Sequence, residues 1–175
     1  MGTETVSILS KYGTRGPKYA VPSEDHLVVA VDLGKHKVGV AVGTPSEMYC
    51  AATVVHRGPA DAVAQQVREF VALHAKDLPL IWVCEWPMKY PTQRKFHKDL
   101  DDLHAVGYAI GTWNESYLPG EWKGNVPKSA HRKRIKSALS PEELDIMPAE
   151  DAHDAWDAAG IYLFAVGRTK RGGVK

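Results

Sequence analysis

LVVAVDL, Leu27–Leu33, is a continuous apolar run rich in β-branched residues and broken by a single Asp. Such a run suits a strand buried on both faces, because a strand with one wet face alternates apolar and polar residues. GKHK, residues 34–37, separates it from a second run, VGVAV at Val38–Val42. A connection that short predicts an antiparallel hairpin, with Gly34 supplying backbone freedom for the turn. AATVVH, Ala51–His56, reads as a third strand and completes a meander.

The pattern changes further along the chain. Val63, Val67, Phe70, Val71 and His74 recur at helical spacing within residues 59–74, with Pro59 at the start, and predict an amphipathic helix. LPLIWVCE, Leu78–Glu85, is another buried strand, and Leu100, Leu103, Val106 and Ile110 mark a helix over 98–110 whose Gly107 and Gly111 allow close packing. Residues 114–127 read as loop and 128–139 as a basic helix. Ser140-Pro-Glu-Glu143 is a helix start, and an Ala-rich helix covers 151–166. This succession predicts an α/β domain, a mixed sheet with an antiparallel hairpin. Residues 1–26 have no sustained periodicity and read as an arm, 27–168 as the domain and 169–175 as a basic tail.

The chain has 175 residues, 44% hydrophobic and 25% charged, with 22 Lys+Arg against 21 Asp+Glu. That length suits one domain, and its longest apolar run is far short of the roughly 20 residues of a membrane span. The opening MGTETVSILSKYGTRG lacks the features of a secretory signal, so a cytoplasmic protein without membrane partners is expected. Cys50 and Cys84 form no CxxC pair and read as reduced thiols. A net charge of +1 conceals blocks. Lys89, Arg94, Lys95 and Lys98 form one basic stretch, and Lys123, Lys128, Arg132, Lys133, Arg134 and Lys136 a second, each free of acids. Seven acids and no Lys or Arg then fall between residues 140 and 157. Basic blocks interleaved with aromatics point to a polyanion partner.

Asp32 carries most of the functional argument. A carboxylate at the end of so apolar a strand costs several kcal/mol to bury unless a cation or partner compensates it. Glu85 poses the same problem at the end of its strand, and ligands of open α/β sheets bind at such carboxyl ends. On the last helix, Asp154 and Asp157 are i and i+3, so their carboxylates share a face, with His153 beside them. Asp151, near the helix start, is explained by the helix dipole. Four converging carboxylates would repel one another unless a multivalent cation held them. All-oxygen ligation suits Mg²⁺ or Mn²⁺, and two such ions roughly 3.5–4 Å apart would activate water and stabilise a leaving oxygen in phosphodiester hydrolysis.

VAVDLGKHKVGVAVG resembles the first motif of the ribonuclease H-like superfamily. The acid ending LIWVCEWP and the DxxD of AHDAWDAAGIYL are similar to the RuvC branch, the Holliday junction resolvases. EWKGNVPKSAHRKRI resembles the bacteriophage form of that branch, and the resemblance spans residues 27–164. It implies a five-stranded sheet in the order 3-2-1-4-5 with the second strand antiparallel, flanked by helices. It further implies a homodimer and Mg²⁺-dependent cleavage of four-way DNA junctions by paired nicks, with two ions per site, Mn²⁺ substituting, no nucleotide cofactor, and a role in phage recombination or genome processing. Asp32, Glu85, Asp154 and Asp157 match the family's catalytic and metal-binding acids. In some relatives the first helical ligand is His, which makes His153 a candidate metal or proton-transfer helper. The residues after Glu85 match a loop that enters the junction, giving Trp86, Met88 and Tyr90 an unstacking role.

Lys35, Lys37, Lys89, Arg94, Lys95, Trp122, Lys123, Lys128, Arg132, Lys133, Arg134 and Lys136 complete the expected DNA-binding set. Two of these assignments have plain alternatives: Lys35 and Lys37 are normal charges for a hairpin tip, and Trp122 can equally cap a loop. His56, His74, His97 and His104 lack metal-ligand spacing and read as structural. The fifth strand is obscure, lying in 108–113 or after it, and helix 98–110 is the expected dimer contact. The arm can shield an edge, bind DNA or swap between subunits. A ribonuclease acting on hybrids, an exonuclease, a non-catalytic DNA-binding module and an actin-like nucleotide binder are the competing readings, and the last needs two such domains.

Overall fold

The computed structural model describes residues 22–169, apart from Lys76, Tyr90, Thr112 and the side chains of Pro91 and Gln93. Most of the arm, the tail beyond Thr169 and the candidate Tyr90 therefore lie outside the described residues.

The strands are β1 (Leu27–Asp32), β2 (Lys37–Gly43), β3 (Met48–Val55), β4 (Leu80–Glu85) and β5 (Glu115–Tyr117). They form one sheet in the order β3-β2-β1-β4-β5. β2 runs antiparallel to β1 and β3, whereas β4 is parallel to β1 and β5 to β4. The helices are α1 (Ala60–His74), α2 (His97–Ile110), α3 (Pro119–Trp122), α4 (Lys128–Ala138), α5 (Pro141–Asp145) and α6 (His153–Ala165), with a 3₁₀ segment at Pro91–Phe96 ahead of α2. The mixed five-stranded sheet, its order and the antiparallel second strand agree with expectation.

Alternation along β1 divides the interior into two cores. Leu27, Val29 and Val31 join Val63, Val67 and Val71 of α1 and Val106 and Ile110 of α2. Val28 and Ala30 face the other way, onto Ala158, Ala159 and Tyr162 of α6 and onto Trp122 and Ile135. The small residues of α6 let that helix lie close on the sheet. β1 is thus covered on both faces, and this is why its sequence is apolar throughout.

Three boundaries differ from the sequence reading. The fifth strand is Glu115–Tyr117, within the stretch read as loop, while residues 108–110 belong to α2. α3 also forms within that stretch. β3 begins at Met48 rather than Ala51, where Met48 pairs with Gly43 of β2 and its amide donates to the buried Glu143 carboxylate at 2.7 Å. Glu143 closes the capping box of α5 with Ser140 and accepts from Arg168 at 2.5 and 2.6 Å, so α5, β3 and the end of α6 meet at one buried ion pair.

Candidate active site

Asp32 and Glu85 are neighbours because β1 and β4 are parallel and in register at their last residues. Both have the parity of the residues facing α6: Val28 and Ala30 on β1, Ile81 and Val83 on β4. Across the hairpin, Asp32 pairs with Gly39 of β2. A Cβ on Gly39 would lie 1.9 Å from the Asp154 carbonyl oxygen and 3.1 Å from the Ala155 nitrogen. The first turn of α6 therefore rests on a glycine in mid-strand, and that contact carries Asp154 and Asp157 to the ends of β1 and β4. A strand-interior glycine commonly marks such close backbone approach. VGVAV contains this signal, but its role depends on a helix more than 100 residues away.

The electrostatics show that the four carboxylates share one environment. Loss of hydration, then repulsion from Asp157, Glu85 and Asp154, pushes the Asp32 carboxyl well above the usual carboxylate range, and Lys123 opposes the shift. Glu85 has local donors: Trp122 Nε1 at 2.6 Å and Lys123 Nζ at 3.0 Å, both on Oε2. Among the described residues, no group of three or more His, Cys, Asp or Glu side chains is closed into a ready-made cage for a metal ion. The donor set fits Mg²⁺ or Mn²⁺, since it is all oxygen and carries more negative charge than Lys123 balances.

The expected basic residues surround this centre unevenly. Lys123 contacts Glu85, and Arg132 lies on α4 with its guanidinium 4.5 Å over the Trp156 ring, donating to His153 Nδ1 at 3.2 Å. His153 is exposed and engaged by that guanidinium. Arg134 is half-buried, and Lys128 and Lys133 are exposed on the same helix. Lys136 pairs with Glu150, Lys89 with Asp101, and Lys35 with Asp102 at 2.5 Å. Lys37, Arg94 and Lys95 are exposed and Met88 is half-buried.

Two of the candidate aromatics pack against the fold, and for Trp122 this corrects the stacking expectation. Trp122 does not face solvent: it is 1% exposed, with its N–H on Glu85, and no base can stack on it without unpacking the core. Trp86 lies flat against His104, ring centroids 5.3 Å apart at 9°, and edge-on to Tyr108. A Cβ on Gly107 would stand 2.9 Å from it, so the half-buried indole packs closely on α2. His104 also bonds the Pro87 carbonyl at 2.7 Å, in line with its structural reading.

No helix among the described residues is long and apolar enough to cross a membrane. No protein-family model and no curated protein sequence matches the chain. Solved structures do. The chain is similar to "T. thermophilus RuvC in complex with Holliday junction substrate", at 19% identity and a TM-score of 0.53 over 82% of this chain and 98% of that one. It is similar also to "Thermus thermophilus RuvC structure", at 18% identity and a TM-score of 0.51 over the same shares. At these identities the likeness is one of architecture, and with the strand order already described it means that the chain has the RuvC-like form of the ribonuclease H-like fold.

Proposed function

We propose that the protein is a nuclease that resolves four-way DNA junctions by paired, divalent-metal-dependent hydrolysis of phosphodiester bonds. The observation that carries this reading is the gathering of Asp32, Glu85, Asp154 and Asp157 around the carboxyl ends of the parallel β1–β4 pair, in a chain whose fold matches a RuvC solved with a Holliday junction substrate. The four carboxylates act as ligands and not as nucleophiles. Two Mg²⁺ or Mn²⁺ ions bound to them would supply Lewis acidity, activating water and stabilising the leaving 3′ oxygen. Lys128, Arg132, Lys133 and Arg134 hold backbone phosphates, which brings affinity but little sequence information. Paired nicks require two such centres, hence a homodimer, with α2 as its contact.

Labelled four-way junction, linear duplex, single strand and RNA–DNA hybrid, each incubated with Mg²⁺, Mn²⁺ or EDTA, test the reading. Symmetrical nicks confined to the junction and absent in EDTA are expected. Cutting of the hybrid or of strand ends would change the substrate, and tight junction binding without any cutting would leave a non-catalytic module.

A further inference from the structure

Among the described residues, Trp122 is the one expected DNA contact that the fold withdraws from solvent, at 1% exposed, and three elements build its seat. Gly160 of α6 provides the floor: a Cβ there would stand 2.6 Å from Trp122 Cζ3. His131 of α4 meets the indole edge-on, ring centroids 4.8 Å apart at 71°. Glu85 of β4 takes the N–H at 2.6 Å. The Lys123 ammonium bonds the same Glu85 Oε2 and lies 5.0 Å from the indole centroid. Both donors thus fall on one oxygen of the carboxylate, and among the described residues Oε1 has no donor. The N–H to carboxylate bond is charge-assisted, and the indole that donates it is 1% exposed and wedged in the core, so the donor is fixed while the half-buried Glu85 carboxylate is held by it at the edge of the site.

We infer that Trp122 is a positioning residue of the cation site, its indole N–H fixing the rotation of Glu85 so that Oε1 is the oxygen offered to a divalent ion. This rests on reading the four carboxylates as cation ligands. Because the indole leans on α6, which carries Asp154 and Asp157, the same side chain sets the β4 acid relative to the helical pair. Partners that orient ligating groups typically change metal affinity by about 10–100-fold when removed. Lys123 neutralises Glu85 but reaches it on a flexible stem, so it balances charge without fixing a rotamer.

The test is Mn²⁺ titration of the full chain by calorimetry, without DNA. Trp122→Phe keeps an aromatic filler and loses the N–H, and it is expected to bind Mn²⁺ at least about 10-fold more weakly. Its junction affinity in EDTA should stay within about twofold of the unmodified chain, an outcome that a merely structural loss would not give. Circular dichroism checks that it folds. Gly160→Ala provides the second variant, since it keeps the N–H but pushes the indole off its seat, and the same loss of Mn²⁺ affinity is expected. Unchanged Mn²⁺ binding by either folded variant would overturn the inference and leave the nuclease reading intact. Failure of the unmodified chain to bind Mn²⁺ would overturn that reading, and this inference with it.

Discussion

His131 is buried, and among the described residues neither of its ring nitrogens has a hydrogen-bond partner. Burial, helped by the Lys123, Arg134 and Arg132 cations and opposed by Asp157, lowers its pKa to about 4. An unfolded chain protonates this imidazole near the ordinary value of about 6.5. Between those two values the unfolded state holds a proton that the folded state refuses, so stability falls as pH drops from about 6.5 to about 4, by up to about 3 kcal/mol. Urea unfolding at pH 7, 5.5 and 4.5 should show the loss, and His131→Phe should flatten it; parallel pH profiles would contradict a buried neutral imidazole. Asp32 has the opposite sense. Its folded pKa is raised, so its contribution to stability is complete below the ordinary carboxylate value and is lost as pH rises through the folded one. Asp32→Asn should therefore raise the melting temperature in EDTA at neutral pH while abolishing cleavage and sparing junction binding. Turnover by that variant would sink the proposed chemistry. Both acids at strand ends were legible in the sequence, because a charge in an apolar run demands an explanation. The burial of Trp122 was not, because it depends on the missing side chain of Gly160.

At the scale of elements, legibility followed burial. β1 and β4 read plainly because both faces of each are covered, whereas β5 is three residues at a sheet edge with only Tyr117 buried, too short for any alternation to register. The early start of β3 escaped notice because Met48 pairs with Gly43 only through a register irregularity in β2 and gives its amide to a Glu143 carboxylate 95 residues away. The approach of α6 to the sheet is likewise a long-range matter, and Gly39 is its hinge point. Alanine there would place a methyl group 1.9 Å from the Asp154 carbonyl oxygen, an overlap that only backbone movement relieves. Overpacking of this kind costs about 3 kcal/mol, and the relief must come from α6 lifting off β2 with its two acids. Gly39→Ala should thus lose stability in urea and lose cleavage together. Ala155, the residue after Asp154 and fully buried, should tolerate Gly with a helix-propensity cost of about 1 kcal/mol and little change in cleavage. Equal effects of the two substitutions would mean that the contact at Gly39 does not position the helix.

Across the whole molecule, a net charge of +1 leaves no general field to attract a polyanion, so the arrangement of cations has to do it. Many are already occupied. Lys35 faces Asp102 and Asp99, Lys89 faces Asp101, Lys123 faces Glu85 and Lys136 faces Glu150. Each such lysine must surrender a carboxylate before it gains a phosphate, which cancels much of the benefit of counterion release. Lys128 and Lys133 are exposed on α4 with no ion pair among the described residues, so phosphate contacts there carry no such penalty. The salt dependence of junction binding in EDTA separates the two kinds. With about 0.9 added to the slope of log K against log salt for each phosphate neutralised, Lys128→Gln with Lys133→Gln should flatten the slope by about 1.8. Lys35→Gln with Lys89→Gln should flatten it by far less, since lysines already paired with Asp102 and Asp101 neutralise few phosphates on binding. If the second pair changes the slope as much as the first, the hairpin tip and the α2 face contact DNA directly, and the binding surface extends across both faces of the sheet instead of lying along α4.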